Sequence, residues 1–166
     1  NIIAFITSES SVGSDLDGNG SIKDSVARYF DKASGKVFNT KGMIYSASFP
    51  LVSGNIIAFP TSERQYYGDL NGDGDYFDMV LRYFDVANNR LINTSAEMMY
   101  SGFSIFGDKI AFITYEQSVG ATGTDLNGDG DKYDYVLRYF DVSLGRIINT
   151  GAEIKPGAKL AMSEYI

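Results

Sequence analysis

Short stretches of apolar and alternating positions recur along the chain, and they are rich in the β-branched and aromatic residues that favour strands. In the middle of the chain this pattern predicts strands over residues 56–61, 79–86, 91–93 and 98–106, separated by turns. No stretch shows the 3.6-residue spacing of apolar positions that is typical of a helix. The pattern therefore predicts an all-β protein built from short antiparallel strands.

The same pattern occurs three times. Ile-Ala-Phe stands at 3–5, 57–59 and 110–112, and Asn-Thr stands at 39–40, 93–94 and 149–150. Ala4, Ala58 and Ala111 are 54 and 53 residues apart, whereas the first aspartates of the acidic loops described next are 54 and 56 apart. This difference indicates a three-residue insertion around residues 120–123 of the third copy, which we expect to be exposed. The chain thus divides into repeats at about 1–54, 55–107 and 108–158, with the start of a fourth unit at 159–166.

Each repeat carries one acidic, glycine-containing loop with oxygen-bearing side chains two residues apart. Calcium takes six to eight oxygen ligands, and a loop can supply them from positions 1, 3 and 5, from the carbonyl at position 7 and from a later acid. Here that acid stands at position 10. The sequence predicts about three calcium ions per chain, held by Asp15, Asp17, Asn19, Ser21 and Asp24, by Asp69, Asn71, Asp73, Asp75 and Asp78, and by Asp125, Asn127, Asp129, Asp131 and Asp134.

The loops differ from the helix-loop-helix calcium hand, which closes with a bidentate glutamate at position 12 before a helix. Here the segment after each loop, such as Met-Val-Leu-Arg-Tyr-Phe-Asp at 79–85, predicts a strand. A simpler alternative treats the loops as Asn-Gly and Asp-Gly turns between strands. The threefold recurrence of the same oxygen pattern favours the cation site over a turn alone.

A four-stranded antiparallel unit that recurs at this period is typical of a β-propeller blade. The Ile-Ala-Phe strand, the Val-Leu-Arg-Tyr-Phe-Asp-Val strand and the following turn resemble blades of the propeller superfamily that includes TolB-like and kelch-like proteins. The inserted loop is similar to the calcium loops of integrin-type FG-GAP propellers and of secreted microbial propellers, although the closing aspartate of the integrin-type loop falls at position 9. The resemblance implies one partial propeller domain over 1–166, with about three four-stranded blades that each carry a calcium loop.

Propellers close with four to eight blades, so three blades do not complete a ring. We therefore expect either a piece of a longer propeller or a ring that other copies of the chain complete. The sequence begins at Asn1, with neither an initiator methionine nor a signal-peptide pattern, and we therefore expect a processed or partial chain.

Charge and composition narrow the classes of partner. The chain has 21 acidic and 14 basic residues and a net charge of -7, which argues against binding to nucleic acid or to anionic membranes. No apolar stretch is long enough to span a membrane. Cysteine is absent, so disulfides cannot stabilise the fold, and bound calcium would stabilise it instead. Loops of this type fill near millimolar calcium, which predicts an extracellular or cell-surface location.

Further side chains recur at fixed positions in the repeats. Glu9, Glu63 and Glu116 end the first strand of each unit, where they could join the calcium shell or lie at a solvated strand end. Arg28, Arg82 and Arg138 are expected to pair with Asp31, Asp85 and Asp141 in preference to binding a substrate. The Tyr-Phe pairs at 29–30, 83–84 and 139–140 are expected to pack between adjacent sheets.

Tyrosines offer a possible carbohydrate-binding surface. Tyr45, Tyr66, Tyr67, Tyr100 and Tyr115 could stack on sugars, but packing is favoured because the chain has no tryptophan.

Catalysis is not expected in this chain. It contains no histidine for a nucleophile-base-acid arrangement, and most clustered acids belong to the loops. The sequence predicts a calcium-binding extracellular propeller module with a structural or binding role in adhesion or recognition, and a protein or carbohydrate ligand. Two alternatives remain open: a fragment of a secreted propeller enzyme that acts on polysaccharide, with catalytic residues outside this chain, and a self-assembling surface protein.

Overall fold

The computed structural model describes residues 1–99 and 102–163. The fold is all-β, as predicted, with three antiparallel sheets. The strands are β1 Ile2–Ser8, β2 Ser25–Asp31, β3 Lys36–Met43, β4 Leu51–Ser53, β5 Ile56–Ser62, β6 Met79–Asp85, β7 Arg90–Glu97, β8 Ser104–Phe106, β9 Lys109–Tyr115, β10 Tyr135–Asp141 and β11 Arg146–Glu153. Three short helical segments follow β1, β5 and β9: α1 Glu9–Val12, α2 Glu63–Tyr66 and a 3-10 helix Glu116–Ser118.

Strands that are consecutive in the chain are neighbours in each sheet. The second sheet has the order β4-β5-β6-β7 and the third has the order β8-β9-β10-β11, so both have four strands, the number expected of one unit. The first sheet, β1-β2-β3, has three strands within the described residues. The three sheets form an open arrangement and do not close into a ring.

Two predicted strands differ in extent from the structure. The strand expected over 98–106 is present only as β8, Ser104–Phe106, whereas the short strand expected over 91–93 extends to Glu97 as β7. The pairing of β7 with β6 continues past the Asn-Thr pair of β7 because the register shifts at a β-bulge, opposite Leu81 and Arg82 of β6. Ser95, next to the Asn-Thr pair, has a positive φ of 54°. The bulge lengthens the pairing of β7 with β6.

The boundaries of the sheets differ from those of the sequence repeats, because the short strands β4 and β8 pair with the following repeat. β4 belongs to the first repeat by sequence, yet Leu51 pairs with Ala58 of β5. In the same way, β8 precedes position 108 and pairs with β9, where Ser104 is opposite Ala111. Each of these sheets therefore begins with the last strand of the preceding sequence repeat.

Aromatic rings link the sheets, as predicted, for four of the six residues in the Tyr-Phe pairs. The ring of Tyr29 in β2 lies 6.0 Å from that of Phe84 in β6, and Tyr83 in β6 lies 5.8 Å from Phe140 in β10. Alternation along a strand explains the arrangement, because adjacent residues point to opposite faces of the sheet. One apolar cluster thus joins the first and second sheets, and another joins the second and third.

The helical segments were not predicted from the sequence. They are four, four and three residues long, which is too short to produce a helical spacing of apolar residues. Each begins at a buried glutamate, Glu9, Glu63 or Glu116. These turns lead the chain from the end of a strand into the acidic loop. In the part of the chain that the structure describes, no helix has the length and apolar character needed to cross a membrane.

Candidate metal centres

The first aspartate organises the backbone of each loop. In the first loop, Asp15 accepts hydrogen bonds from the N–H groups of Gly18 and Gly20 at 2.7 and 2.9 Å. Both glycines have positive φ angles, 86° and 87°, which side-chain-bearing residues rarely adopt. The equivalent bonds of Asp69 and Asp125 measure between 2.5 and 3.1 Å. The glycines therefore allow the same tight loop in all three repeats.

The next oxygen-bearing side chains form a series of local turns. Asp17 accepts from the N–H of Asn19 at 3.0 Å, and Asn19 accepts from the N–H of Ser21 at 2.7 Å. Asx turns of this kind position one oxygen every second residue. The second and third loops repeat the series with distances between 3.1 and 3.2 Å. The loop conformation therefore presents oxygens with the spacing that the sequence predicted.

Carboxylates from the loops lie close enough to share a cation. Four groups of three acids each have ligand atoms within 4.8 Å of one another: Glu9, Asp15 and Asp17; Glu63, Asp75 and Asp78; Asp73, Asp78 and Glu97; and Glu116, Asp131 and Asp134. Each repeat thus contributes at least one group, and each repeat's buried glutamate belongs to one of them.

The remaining predicted ligands have other positions. Asp69 and Asp125 bind glycine N–H groups, as described above. Asp24 accepts a hydrogen bond from the amide of Asn19 at 2.9 Å. Asn71 and Asn127 donate from their amides to Asp78 and Asp134, each at 3.1 Å. The hydroxyl of Ser21 accepts from the N–H of Lys23, whereas its carbonyl was the predicted ligand. Asp129 accepts a 3.3 Å hydrogen bond from Asn127, which also donates to Asp134, so it lies beside the group of Glu116, Asp131 and Asp134.

The recurring glutamates are not solvated strand ends. Glu9, Glu63 and Glu116 are each 0% exposed. Their carboxylates accept backbone hydrogen bonds from the loop: Glu116 accepts from Leu126 at 2.6 Å and from Asn127 at 3.1 Å. Because six to nine residues separate glutamate and loop in sequence, only the helical turn and the folded loop bring them together. The buried glutamates hold the loop backbone beside the acidic groups.

Electrostatic strain accumulates where the acids are partly buried. Burial, together with the nearby charge of Glu97, raises the pKa of Asp78 to about 7. Burial also raises the pKa values of Glu97, Asp17 and Asp134. By contrast, the glycine N–H groups lower the pKa of Asp15. A bound cation would favour the ionised forms of the acids whose pKa values are raised, and it would reduce the repulsion between their charges.

The repeated Asn-Thr pairs anchor each loop to the sheet. The side-chain amides of Asn39, Asn93 and Asn149 donate to the carbonyls of Leu16, Leu70 and Leu126 at 2.6, 2.7 and 2.7 Å. The adjacent threonine hydroxyls donate to carbonyls of the neighbouring strand at 2.5 to 2.6 Å. These contacts explain why asparagine and threonine recur at the bulge, a role that the sequence pattern did not reveal.

The expected Arg-Asp ion pairs are wrong. Arg82 and Asp85 are three residues apart in β6, so their side chains lie on opposite faces of the sheet. Both ion pairs found in residues 1–99 and 102–163 involve Lys109, which contacts Asp108 at 2.6 Å and Asp141 at 3.1 Å. Arg82 lies 5.2 Å from the centre of the Tyr66 ring, and the charge of Asp17 in the preceding repeat acts on it.

Packing contacts account for two of the candidate carbohydrate-binding tyrosines. Tyr66 lies under Arg82, and Tyr115 stacks on Tyr135 with ring centres 4.8 Å apart. Tyr67 is 87% exposed, Tyr45 is half-buried, and Tyr100 lies outside the described residues.

The insertion of the third repeat is exposed only at its centre. Ala121 and Thr122 are exposed as predicted, but Gly123 is buried. Gly120 donates its N–H to Glu97 of the second repeat at 3.1 Å. Sequence reasoning missed Glu97. The sequence did contain a signal: the second and third repeats have a glutamate at this position, Glu97 and Glu153, where the first repeat has Met43.

A scan against protein-family models and searches of curated proteins and of solved structures return no match to this chain.

Proposed function

We propose that each acidic loop binds one calcium ion, and that calcium stabilises an extracellular or cell-surface β-propeller module. One observation carries the proposal: three loops of the same conformation each place carboxylate oxygens within 4.8 Å of one another next to a buried glutamate. A single acidic cluster on a surface is common. Three at equivalent positions, each with its backbone ordered by the same hydrogen bonds, favour a common ligand.

The donor chemistry selects the class of metal. The candidate ligands are carboxylate, amide and carbonyl oxygens, and the chain contains neither cysteine nor histidine. Hard cations prefer oxygen, whereas zinc and copper are usually bound through nitrogen or sulfur. Between the two common hard cations, calcium tolerates six to eight ligands in irregular geometry, while magnesium requires a near-octahedral set. Loops with many alternating oxygens suit calcium better.

A calcium ion in each loop would act as a structural clamp. The loop connects β1 to β2, β5 to β6 or β9 to β10, and its acids repel one another when no cation is present. Bound calcium would offset this repulsion and hold the loop against the buried glutamate. The proposed role of the module is therefore structural or recognition-related, and not catalytic, with a protein or carbohydrate as the recognised ligand.

Self-assembly is a second candidate, because apolar side chains are exposed at both ends of the sheet series. Ile3 in β1 is 62% exposed and Phe38 in β3 is 39% exposed. On the third sheet, Leu137 and Tyr139 line an apolar pocket together with Leu160, which follows β11. Further blades or a second copy could cover these surfaces as the second sheet covers its neighbours. Sedimentation velocity across a concentration series tests this, since a monomer at every concentration argues against it.

Calcium titration tests the main proposal. Isothermal calorimetry on metal-free protein should give about three sites per chain. The matched control carries Asp15→Ala, Asp69→Ala and Asp125→Ala together, which removes the first ligand of each loop and should abolish binding. Absence of binding by the unsubstituted chain in millimolar calcium would contradict the proposal.

A further inference from the structure

Glu97 stands at the end of β7, next to the second loop but outside it. Its side chain is 6% exposed. One carboxylate oxygen, Oε1, accepts hydrogen bonds from the amide of Asn71 at 2.7 Å and from the N–H of Gly120 at 3.1 Å. The other oxygen, Oε2, is buried and has no hydrogen-bond partner. A buried carboxylate oxygen without a partner has a high cost in free energy, so we expect this atom to bind a ligand.

A second oxygen in the same place has the same property. Oδ2 of Asp73 is also buried without a hydrogen-bond partner. Asp73, Asp78 and Glu97 place carboxylate oxygens within 4.8 Å of one another. These three residues come from two separate parts of the chain, the loop and the last strand of the second sheet. The group therefore has two unsatisfied oxygens and contributions from two elements.

No basic side chain neutralises this group by direct contact. Arg138 of β10 is the cation whose charge acts on Glu97. It forms no ion pair with Glu97, however: the two ion pairs in the described part of the chain both involve Lys109. Arg138 instead lies 6.0 Å from the centre of the Phe112 ring. A small cation bound between the carboxylates would satisfy both oxygens.

We propose that Glu97 is a ligand of the calcium ion in the second loop, which it binds from outside the loop together with Asp73 and Asp78. This inference rests on the proposed binding of calcium by that loop. It adds a ligand from another strand and makes the second site different from the other two.

Comparison of the repeats supports this difference. Met43, Glu97 and Glu153 occupy the same register position, opposite Val26, Val80 and Val136. Met43 has no ligand oxygen in its side chain, and Glu153 is exposed. Only Glu97 combines a carboxylate with burial. Gly120, at the start of the inserted segment of the third repeat, donates its N–H to this carboxylate. The insertion thereby gains a role: it orients a ligand of the neighbouring repeat.

Calcium titration of Glu97→Gln tests the proposal. Glutamine keeps the size of the side chain and one acceptor oxygen but loses the charge. We expect one of the three sites to weaken about tenfold or more, with the other two unchanged. Glu153→Gln is the matched control, because it makes the same change at the exposed equivalent position, and its effect should be much smaller.

A loop-two variant identifies the affected site. Asp69→Ala should leave two sites, and adding Glu97→Gln to it should leave their affinities unchanged. Weakening of these two sites in the double variant would overturn the proposal, since Glu97 would then act on general stability. Three unchanged sites in Glu97→Gln alone would also overturn it, while calcium binding by the loops would stand. No binding by the unsubstituted chain would overturn both.

Folding is checked separately by circular dichroism in EDTA. We expect Glu97→Gln to melt no earlier than the parent there, because it removes one of several repelling charges. If it does not fold, Glu97→Asp serves instead: the shorter side chain withdraws the carboxylate while keeping its charge. Calcium affinity at the second site should again fall about tenfold, and unchanged affinity would overturn the proposal.

Discussion

The buried carboxylate of Glu116 accepts a 2.6 Å hydrogen bond from the backbone N–H of Leu126, ten residues later in the chain. Its second oxygen, Oε2, accepts from the N–H of Asp134 at 3.4 Å. One side chain therefore contacts both the start and the end of the third loop. Glu63 repeats both contacts in the second loop, with Leu70 and Asp78.

Replacing this carboxylate should destabilise the protein. In Glu116→Gln the amide NH2 must face one of the loop N–H groups, so a buried donor loses its acceptor. We expect a loss of about 1–3 kcal/mol in the free energy of unfolding, measured by urea denaturation in saturating calcium. Gln117→Ala, at the exposed next position, should stay within about 0.5 kcal/mol of the parent. Equal stability of Glu116→Gln and the parent would contradict the proposed role in holding the loop.

The second and third loops should bind calcium more tightly than the first. Asp75 and Asp131 occupy the position of Ser21 and join acidic groups with Glu63 and Glu116. Additional ligand charge strengthens calcium binding. Calorimetry on the single variants Asp15→Ala, Asp69→Ala and Asp125→Ala gives the ranking, because each variant removes one site. The ranking is wrong if Asp15→Ala removes the tightest binding event.

Chelation should lower thermal stability and leave β structure in place. Calcium at about a hundred times its dissociation constant adds roughly 2.7 kcal/mol per independent site, or about 8 kcal/mol for three. That total is comparable to the whole stability of an ordinary domain, so the melting temperature should fall by many degrees. Buried apolar residues such as Phe59 and Phe112 do not depend on the metal. Melting curves by circular dichroism, with calcium and with EDTA, provide the measurement, and identical curves would argue for metal-free turns.

Without calcium, the protein should become less stable as pH rises through about 7. The pKa of Asp78 is raised from 3.8 to about 7, mainly by burial, so the folded chain holds a proton there that the unfolded chain releases. This contribution to stability is fully present below pH 3.8 and is lost as pH rises through about 7. The raised pKa of Glu97 acts in the same direction.

Melting temperatures in EDTA should therefore be higher at pH 5.5 than at pH 8. Asp78→Asn removes the titrating group and should reduce this difference, which separates its effect from the overall negative charge. In calcium the trend should reverse, because protons compete with the ion for the same oxygens. A parent protein and an Asp78→Asn variant with equal pH dependence in EDTA would show that Asp78 does not titrate as described.

The ring contact between Tyr83 and Phe140 should be a major link between the second and third sheets. Phe140 is 5% exposed and belongs to the apolar cluster that joins them. Phe140→Ala should cost about 3–5 kcal/mol, because it leaves a cavity between the sheets. Phe106→Ala, at a position 41% exposed, should cost far less. Urea denaturation of both variants distinguishes them, and similar costs would contradict a specific role for the inter-sheet contact.

The sequence by itself determined the strand content, the threefold repeat and the composition of the loops. These features are local: alternation along β6, glycines at fixed positions and oxygens at every second residue are visible within ten residues. The alternation of side chains along a strand is also enough to exclude the Arg82–Asp85 pair, because side chains three residues apart lie on opposite faces of the sheet.

Only the tertiary structure decided the contacts that connect these local features. From the sequence, Glu63 could be a calcium ligand or a solvated strand end. Its burial depends on a four-residue helix and the folded loop, and a helix of that length leaves no periodic signal. Glu97 became a candidate ligand because it is buried and its carboxylate accepts the N–H of Gly120 from the next repeat. Burial and distance between separate segments depend on how sheets pack, and no spacing within one repeat encodes that packing.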